Sequence, residues 1–276
     1  MFTLYRFFRF SLAFLRHGIT IFIASKRYRG ETRDLEIAKL QSRGAAAICR
    51  ALHIEVTING SYPRDTPMLI VSNHPGMLDP WIVATRFVGS FVAKIEMMRW
   101  PIFGPIGRAC GIIFVDRKNR LRAGDFVSRL RGRMRNGVPI IAFPEGTTSG
   151  TDTVLKFKTG TFAAVEGMAD AVVLPIYMWA VKVEGELSDA KSRFRIFWPR
   201  DVSMLTNARN VLAIRSLKIE LLIGSPIKTR KRDRKKLAEL AYEELQRLDK
   251  ATREDYSNNR SWLSSDNDNK ENEDAT

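Results

Sequence analysis

The sequence predicts an α/β fold: a mixed, mostly parallel sheet with flanking helices, preceded by an N-terminal amphipathic helical pair. Three observations predict it. Between residues 54 and 227, apolar runs of strand length alternate with segments of helical periodicity. Turn-forming pairs such as Asn59-Gly60 punctuate them. Two consecutive helical patterns, both carrying arginines, come before the first strand.

The elements follow in order. Segment 1–24 has no uncharged run of the ~18 residues expected of a spanning helix. On a helix, Arg6, Arg9, Ala13, Arg16, His17 and Thr20 share one face. Leu4, Phe7, Phe8, Leu12, Leu15, Ile19, Phe22 and Ile23 cover most of the rest. That is a basic amphipathic helix suited to the headgroup region of a bilayer. A short tilted span and a cleaved signal compete with it. Against the signal, Arg9 and Arg16 interrupt the apolar region and 23–26 makes a poor cleavage site. A second helix is expected over 34–52, capped by Asp34. Residues 1–53 then form a membrane-associating unit.

Within 54–227, strands are expected at 54–58, 68–72, 91–94, 111–115, 138–143, 172–177, 194–198 and 217–223. Helices are expected at 79–88 and 121–135. Pro175 lies inside a strand, which calls for an edge or a bulge and makes it a candidate wall of an apolar groove. Beyond Pro226 the composition changes. A basic run and a charged helix occupy 228–254. The polar, acidic stretch 255–276 is expected to be disordered.

The length of 276 residues and 45% hydrophobic content allow a substantial core. A net charge of +15 calls for an anionic partner, and a bilayer surface and nucleic acid both qualify. No aromatic-interleaved basic motif of the base-stacking kind is present, so nucleic acid is set aside. The two cysteines, Cys49 and Cys110, give neither a disulfide framework nor a metal-ligand spacing.

The chemistry concentrates at His74. It precedes Pro75, which favours extended backbone. The 68–72 strand therefore delivers it to a loop at the sheet edge, where ligands of open α/β sheets bind. Asp79, five residues on, either caps the helix begun at Pro80 or faces the imidazole, fixing its tautomer. A histidine so oriented takes a proton from a hydroxyl. The chain has no Gly-x-Ser-x-Gly elbow. A catalytic His74 would therefore activate the substrate's own hydroxyl.

Two further constellations stand out. Residues 143–150 end a buried strand in a turn rich in glycine and hydroxyls, suited to an anion. There Glu145 either orients a substrate hydroxyl or belongs to an ordinary polar turn. Arg117 ends another apolar run, placed to hold phosphate bidentately or to pair with Asp116. Lys94 is a weaker cation of the same kind.

Together these blocks resemble the glycerolipid acyltransferase family. The first is Asn73-His74-x4-Asp79 and the second Gly111-x-x-Phe114-x-x-Arg117. The third is Phe143-Pro144-Glu145-Gly146-Thr147 and the fourth Val173-Leu174-Pro175-Ile176. They occur in the family's order over 54–227. The resemblance implies that His74 is the base and Asp79 its orienting partner. It implies that Gly111, Phe114, Arg117, Glu145, Gly146 and Thr147 bind the acceptor, with Lys94 and Lys158 as helpers. It also implies the α/β fold already predicted and an O-acyl transfer from acyl-CoA or acyl-ACP to the free hydroxyl of a lysophospholipid, 1-acyl-sn-glycerol-3-phosphate first. No covalent acyl-enzyme, metal or cofactor beyond the acyl co-substrate is implied. The expected location is the cytoplasmic face of a membrane, on anionic lipid.

One departure bears on the acceptor. Many lysophosphatidate enzymes of the family carry arginine after Glu-Gly-Thr, and here the residue is Thr148. A lyso-ornithine lipid or a lysophospholipid with a larger headgroup would need that cation less. The alternative from a different class is a non-catalytic protein that binds anionic lipid.

Overall fold

The computed structural model describes residues 2–101, 103–117 and 119–273. Helix α1 (Phe2–Arg27) and helix α2 (Gly30–Ala51) form a hairpin. They approach closely at Gly44, where a Cβ would lie 1.9 Å from the His17 ring. A mid-helix glycine costs about 1 kcal/mol in propensity, and here it makes room for the imidazole. Helix α2 starts before Asp34, behind Arg29, with no side-chain cap. Asp34 is therefore not a cap. It sits within the helix and pairs with Arg133 at 2.8 Å and Arg33 at 3.4 Å.

The expected basic face of α1 turns inward only at its start. Arg6 is 1% exposed, its guanidinium donating to the carbonyls of Leu212 and Leu52. Arg9 contacts His53 Nε2 at 2.8 Å. Arg16 remains exposed. The apolar face points outward, with Leu4, Phe8, Leu15, Phe22 and Ile23 all at least 59% exposed. Segment Leu4–Arg27 is long and apolar enough to cross a membrane, and little of it is buried.

The strands are β1 (Ile54–Asn59), β2 (Met68–Ser72), β3 (Ser90–Lys94), β4 (Ile113–Val115), β5 (Ile140–Ala142), β6 (Val172–Val183), β7 (Glu186–Leu187), β8 (Leu217–Ile223) and β9 (Ile227–Lys228). Among the described residues they form one sheet, ordered β1-β8-β6-β2-β5-β3-β4, with β7 and β9 on β6. Pairing is parallel except where β6 meets β7, β8 and β9. Side chains alternate across this sheet. Met68 and Ile70 join a core with Ile48 of α2, with Leu52 just past its end, and with Ile82 and Val83 of α3 (Asp79–Ala84). Leu69 and Val71 join a second core. That core also holds Phe126 and Leu130 of α5 (Ala123–Arg135) and Leu237 and Leu245 of the C-terminal helix. Burial on both faces explains the continuous apolar runs.

Two expectations about the strands are corrected. Residues 194–198 are not a strand. Helix α6 (Ala190–Phe194) ends there, begun by a capping box in which Asp189 accepts from Ser192 N at 2.7 Å. Ile196 and Phe197 are apolar because they plug the first core from a loop. A short apolar run does not by itself distinguish the two. Pro175 is on no edge. It lies buried in β6, opposite Val71 of β2. Its carbonyl accepts from Gly224 N in the gap between the β9 and β8 pairings, so its missing N–H removes no ladder bond there. The C-terminal helix runs Arg234–Glu273, across most of the stretch expected as a tail. Residues 255–273 hold neither glycine nor proline to stop a helix docked through its first turns. The rest of that expected tail, 274–276, lies outside the described residues. Numbering the remaining helices in order, α4 is Phe103–Ala109, α7 is Met204–Ala213 and α8 is Arg234–Glu273.

Candidate active site

Strand β2 delivers the first block to the carboxyl end of the sheet. Asn73 fastens it there. Its Oδ1 accepts from Met178 N at 2.8 Å and its Nδ2 donates to Met178 O at 3.1 Å, tying the end of β2 to β6. His74 Nδ1 then lies 2.7 Å from Asp79 Oδ2. The same oxygen accepts from Gly76 N at 2.8 Å, closing a tight loop. Asp79 is the first residue of α3, and its N-cap is Leu78, so the aspartate does not cap the helix. It is 1% exposed. Burial pushes its carboxyl up, and the hydrogen bonds from His74 and Gly76 oppose that shift.

The third block holds His74 from behind. Glu145 is 2% exposed, and its Oε1 accepts from His74 N at 3.1 Å. Its Oε2 is buried with no hydrogen-bond partner among the described residues. Burial pushes this carboxyl up to about 8. Ser149 N donates to His74 O at 2.8 Å, so the loop grips both backbone groups of the histidine. Phe143 stacks on the imidazole, ring centroids 4.3 Å apart and 19° from parallel. The expectation was a Glu145 that lines the acceptor site. The structure places one of its oxygens on the histidine backbone, beside the imidazole.

Arg117 Nη1 donates to Gly146 O at 2.8 Å, joining the second block to the third. Gly146 has φ +73°, and a Cβ there would fall 2.7 Å from Arg117 Nη1. The position therefore requires glycine on both counts. Thr147 is half-buried in the same turn. The two cysteine thiols are buried and pushed up to about 12, which makes them poor nucleophiles.

A family model described as Acyltransferase matches residues 53–179. The chain is 32% identical over 200 residues to a lyso-ornithine lipid O-acyltransferase of Brucella abortus, covering 69% of this chain and 74% of that one. The chain belongs to the acyltransferase family. It is also 27% identical over 169 residues to a 1-acyl-sn-glycerol-3-phosphate acyltransferase of Neisseria meningitidis, covering 58% of this chain and 65% of the relative. The 1-acyl-sn-glycerophosphate (LPA) acyltransferase PlsC from Thermotoga maritima has a similar fold. Its TM-score is 0.63 at 22% identity, covering 90% of this chain and 94% of that one.

The remaining residues of this acyltransferase divide into two groups. Lys94, at the end of β3, and Lys158, whose N–H donates to Pro144 O at 2.9 Å, gather near Arg117. Both ammonium groups are held below the usual lysine range, first by partial burial and then by neighbouring cations. Those neighbours include Arg200, which the sequence reading missed. Arg200 lies in the loop after α6, just beyond the residues expected as a strand. Trp198 N donates to Pro75 O at 2.9 Å, and Thr148 Oγ1 donates to Trp198 O at 2.9 Å. A Cβ on Gly150 would stand 2.5 Å from Pro199 Cα. Thr148 thus staples down the loop that supplies Arg200. The second group is not gathered at His74. Gly111 and Phe114 line a separate arginine-rich cleft, and Pro175 is buried in the sheet.

Proposed function

We propose that this acyltransferase moves a fatty acyl group from a thioester to the hydroxyl of a lysolipid with an anionic headgroup, at a membrane surface. The observation that carries this reading is the 2.7 Å contact between His74 and Asp79 beside a patch of four cations. Asp79 accepts from His74 Nδ1–H and leaves Nε2 free to take the proton of the acceptor hydroxyl. The acceptor oxygen attacks the thioester carbonyl. The C–S bond breaks, and the departing thiolate takes the proton back from the imidazolium. Lys94, Arg117, Lys158 and Arg200 hold the headgroup anion. The outward apolar face of α1 seats in lipid, on the cytoplasmic side where the thioester donor is found.

Within that class, four clustered cations favour a phosphomonoester, hence 1-acyl-sn-glycerol-3-phosphate. A second acceptor, a lyso-ornithine lipid, is favoured by the name of the Brucella relative and by Thr148. Purified protein supplied with labelled acyl-CoA or acyl-ACP and a panel of lysolipids separates the two by product mass. His74→Ala should lower turnover by about 10²–10⁴-fold while the protein stays folded and lipid-associated. Undiminished turnover by that variant would sink the mechanism.

A further inference from the structure

Beyond β4, at the opposite edge of the parallel strands from β6, lies a second cationic feature. It is a cleft of about 350 Å³ between β4, α4, α5 and α2. Arg33, Arg108, Arg122, Arg129 and Arg133 line it, against the carboxylates Asp116 and Asp125. Asp34 neutralises part of this charge through Arg133 and Arg33. Arg108 donates to Met98 O at 3.3 Å. The guanidinium groups of Arg122 and Arg129 have no hydrogen bond or ion pair among the described residues. Arg133 is held below the usual arginine range by burial, with Arg33 and Arg129 as repelling neighbours opposed by Asp34. Gly111 has φ +70°, and a Cβ there would stand 3.0 Å from Arg133 Nη1. The second-block glycine thus admits an arginine to this cleft. Ile95 and Phe114 add apolar wall. Guanidinium groups gathered in this way are a site for phosphate.

We propose that this cleft binds the nucleotide phosphates of coenzyme A and so holds the acyl donor, an inference that rests on the acyl-transfer reading above. Distance supports it. His74 follows β2, and the order β2-β5-β3-β4 puts β4, whose Phe114 lines the cleft, three strand spacings away, on the order of 14 Å. In coenzyme A roughly thirteen bonds separate the thioester sulfur from the first phosphate, an extended reach on the order of 15 Å. The arm is therefore long enough to run from His74 to the β4 wall of the cleft, while Lys94, Arg117, Lys158 and Arg200 keep the acceptor. Several guanidinium groups suit a nucleotide bearing several phosphates better than the single phosphodiester of an acyl carrier protein.

The test uses full-length protein in detergent or nanodiscs, with Arg122→Glu and Arg129→Glu combined. The expected result is a KM for acyl-CoA raised about 10- to 100-fold, as loss of charge-assisted bonds gives. The acceptor KM and the thermal midpoint should hold. The Arg122→Lys and Arg129→Lys pair should recover most of the loss. Calorimetric binding of coenzyme A and of adenosine 3′,5′-bisphosphate should weaken in the Glu pair and persist in His74→Ala. An unchanged acyl-CoA KM in a folded Glu pair overturns the proposal, as does an effect confined to acyl-ACP. If the wild type acylates no lysolipid, the acyl-transfer reading fails instead, and the calorimetry still reports on the cleft.

Discussion

At His74 the side chain makes one strong contact, and the backbone is clamped on both sides. Asp79 takes the imidazole, Glu145 takes the N–H and Ser149 takes the carbonyl. A side chain held this way loses little entropy on reaching a reactive geometry. Glu145 carries a measurable consequence. Its folded carboxyl sits at about 8 against an ordinary 4.5. The folded state therefore holds the proton more tightly. The stability this contributes is whole below the unfolded value and is lost as pH rises through the folded one. Glu145→Gln, neutral throughout, should remove a slope of up to about 1.4 kcal/mol per pH unit between those limits. Urea unfolding at several pH values checks this, and parallel curves for the two proteins would refute it. The residue types were legible at this scale, because the blocks are local strings. The partner of Glu145 was not, because His74 lies 71 positions away.

Among the elements, α1 departs most from its expected placement. Its periodicity shows which residues share a face, not which face meets the protein. The structure turns Arg6 inward because two backbone carbonyls, Leu52 O and Leu212 O, are there to accept from it. A buried guanidinium without such acceptors would be costly. The apolar face then stays exposed. Phe8, Leu15 and Phe22 are 65%, 60% and 59% exposed. Each buries about 1.5–3 kcal/mol worth of apolar surface on entering lipid. Replacing all three with serine should release the protein from anionic vesicles in a sedimentation assay without altering its circular dichroism. Unchanged pelleting would mean that another surface binds the bilayer. The loop at 195–203 shows the opposite limit of a local pattern: its apolar pair is buried, and the burial needs no strand.

For the whole molecule, the sheet order collects cations from four separated stretches at one end. Lys94 ends β3, Arg117 follows β4, Lys158 follows the third block and Arg200 precedes α7. Arg200→Ala should raise the acceptor KM about 10- to 100-fold with little change in kcat, as removing 1.5–3 kcal/mol of uniform binding does. Thr148→Val, which breaks the bond to Trp198 O, should do the same more weakly. A kcat loss with an unchanged KM would assign Arg200 to the chemical step rather than to the headgroup.

The sequence by itself determined the α/β class, the order of most elements and the four blocks that carry the resemblance. These are written in neighbours a few positions apart, where periodicity and turn chemistry act. Only the tertiary structure decided that Asp79 contacts His74 rather than capping a helix, that α1 shows its apolar side outward, and that Arg200 joins Lys94 and Lys158. Each depends on a partner brought near by chain closure, from five positions away across a tight loop to more than two hundred in the case of Arg6. No local pattern specifies that partner, because the contact exists only once the sheet has assembled.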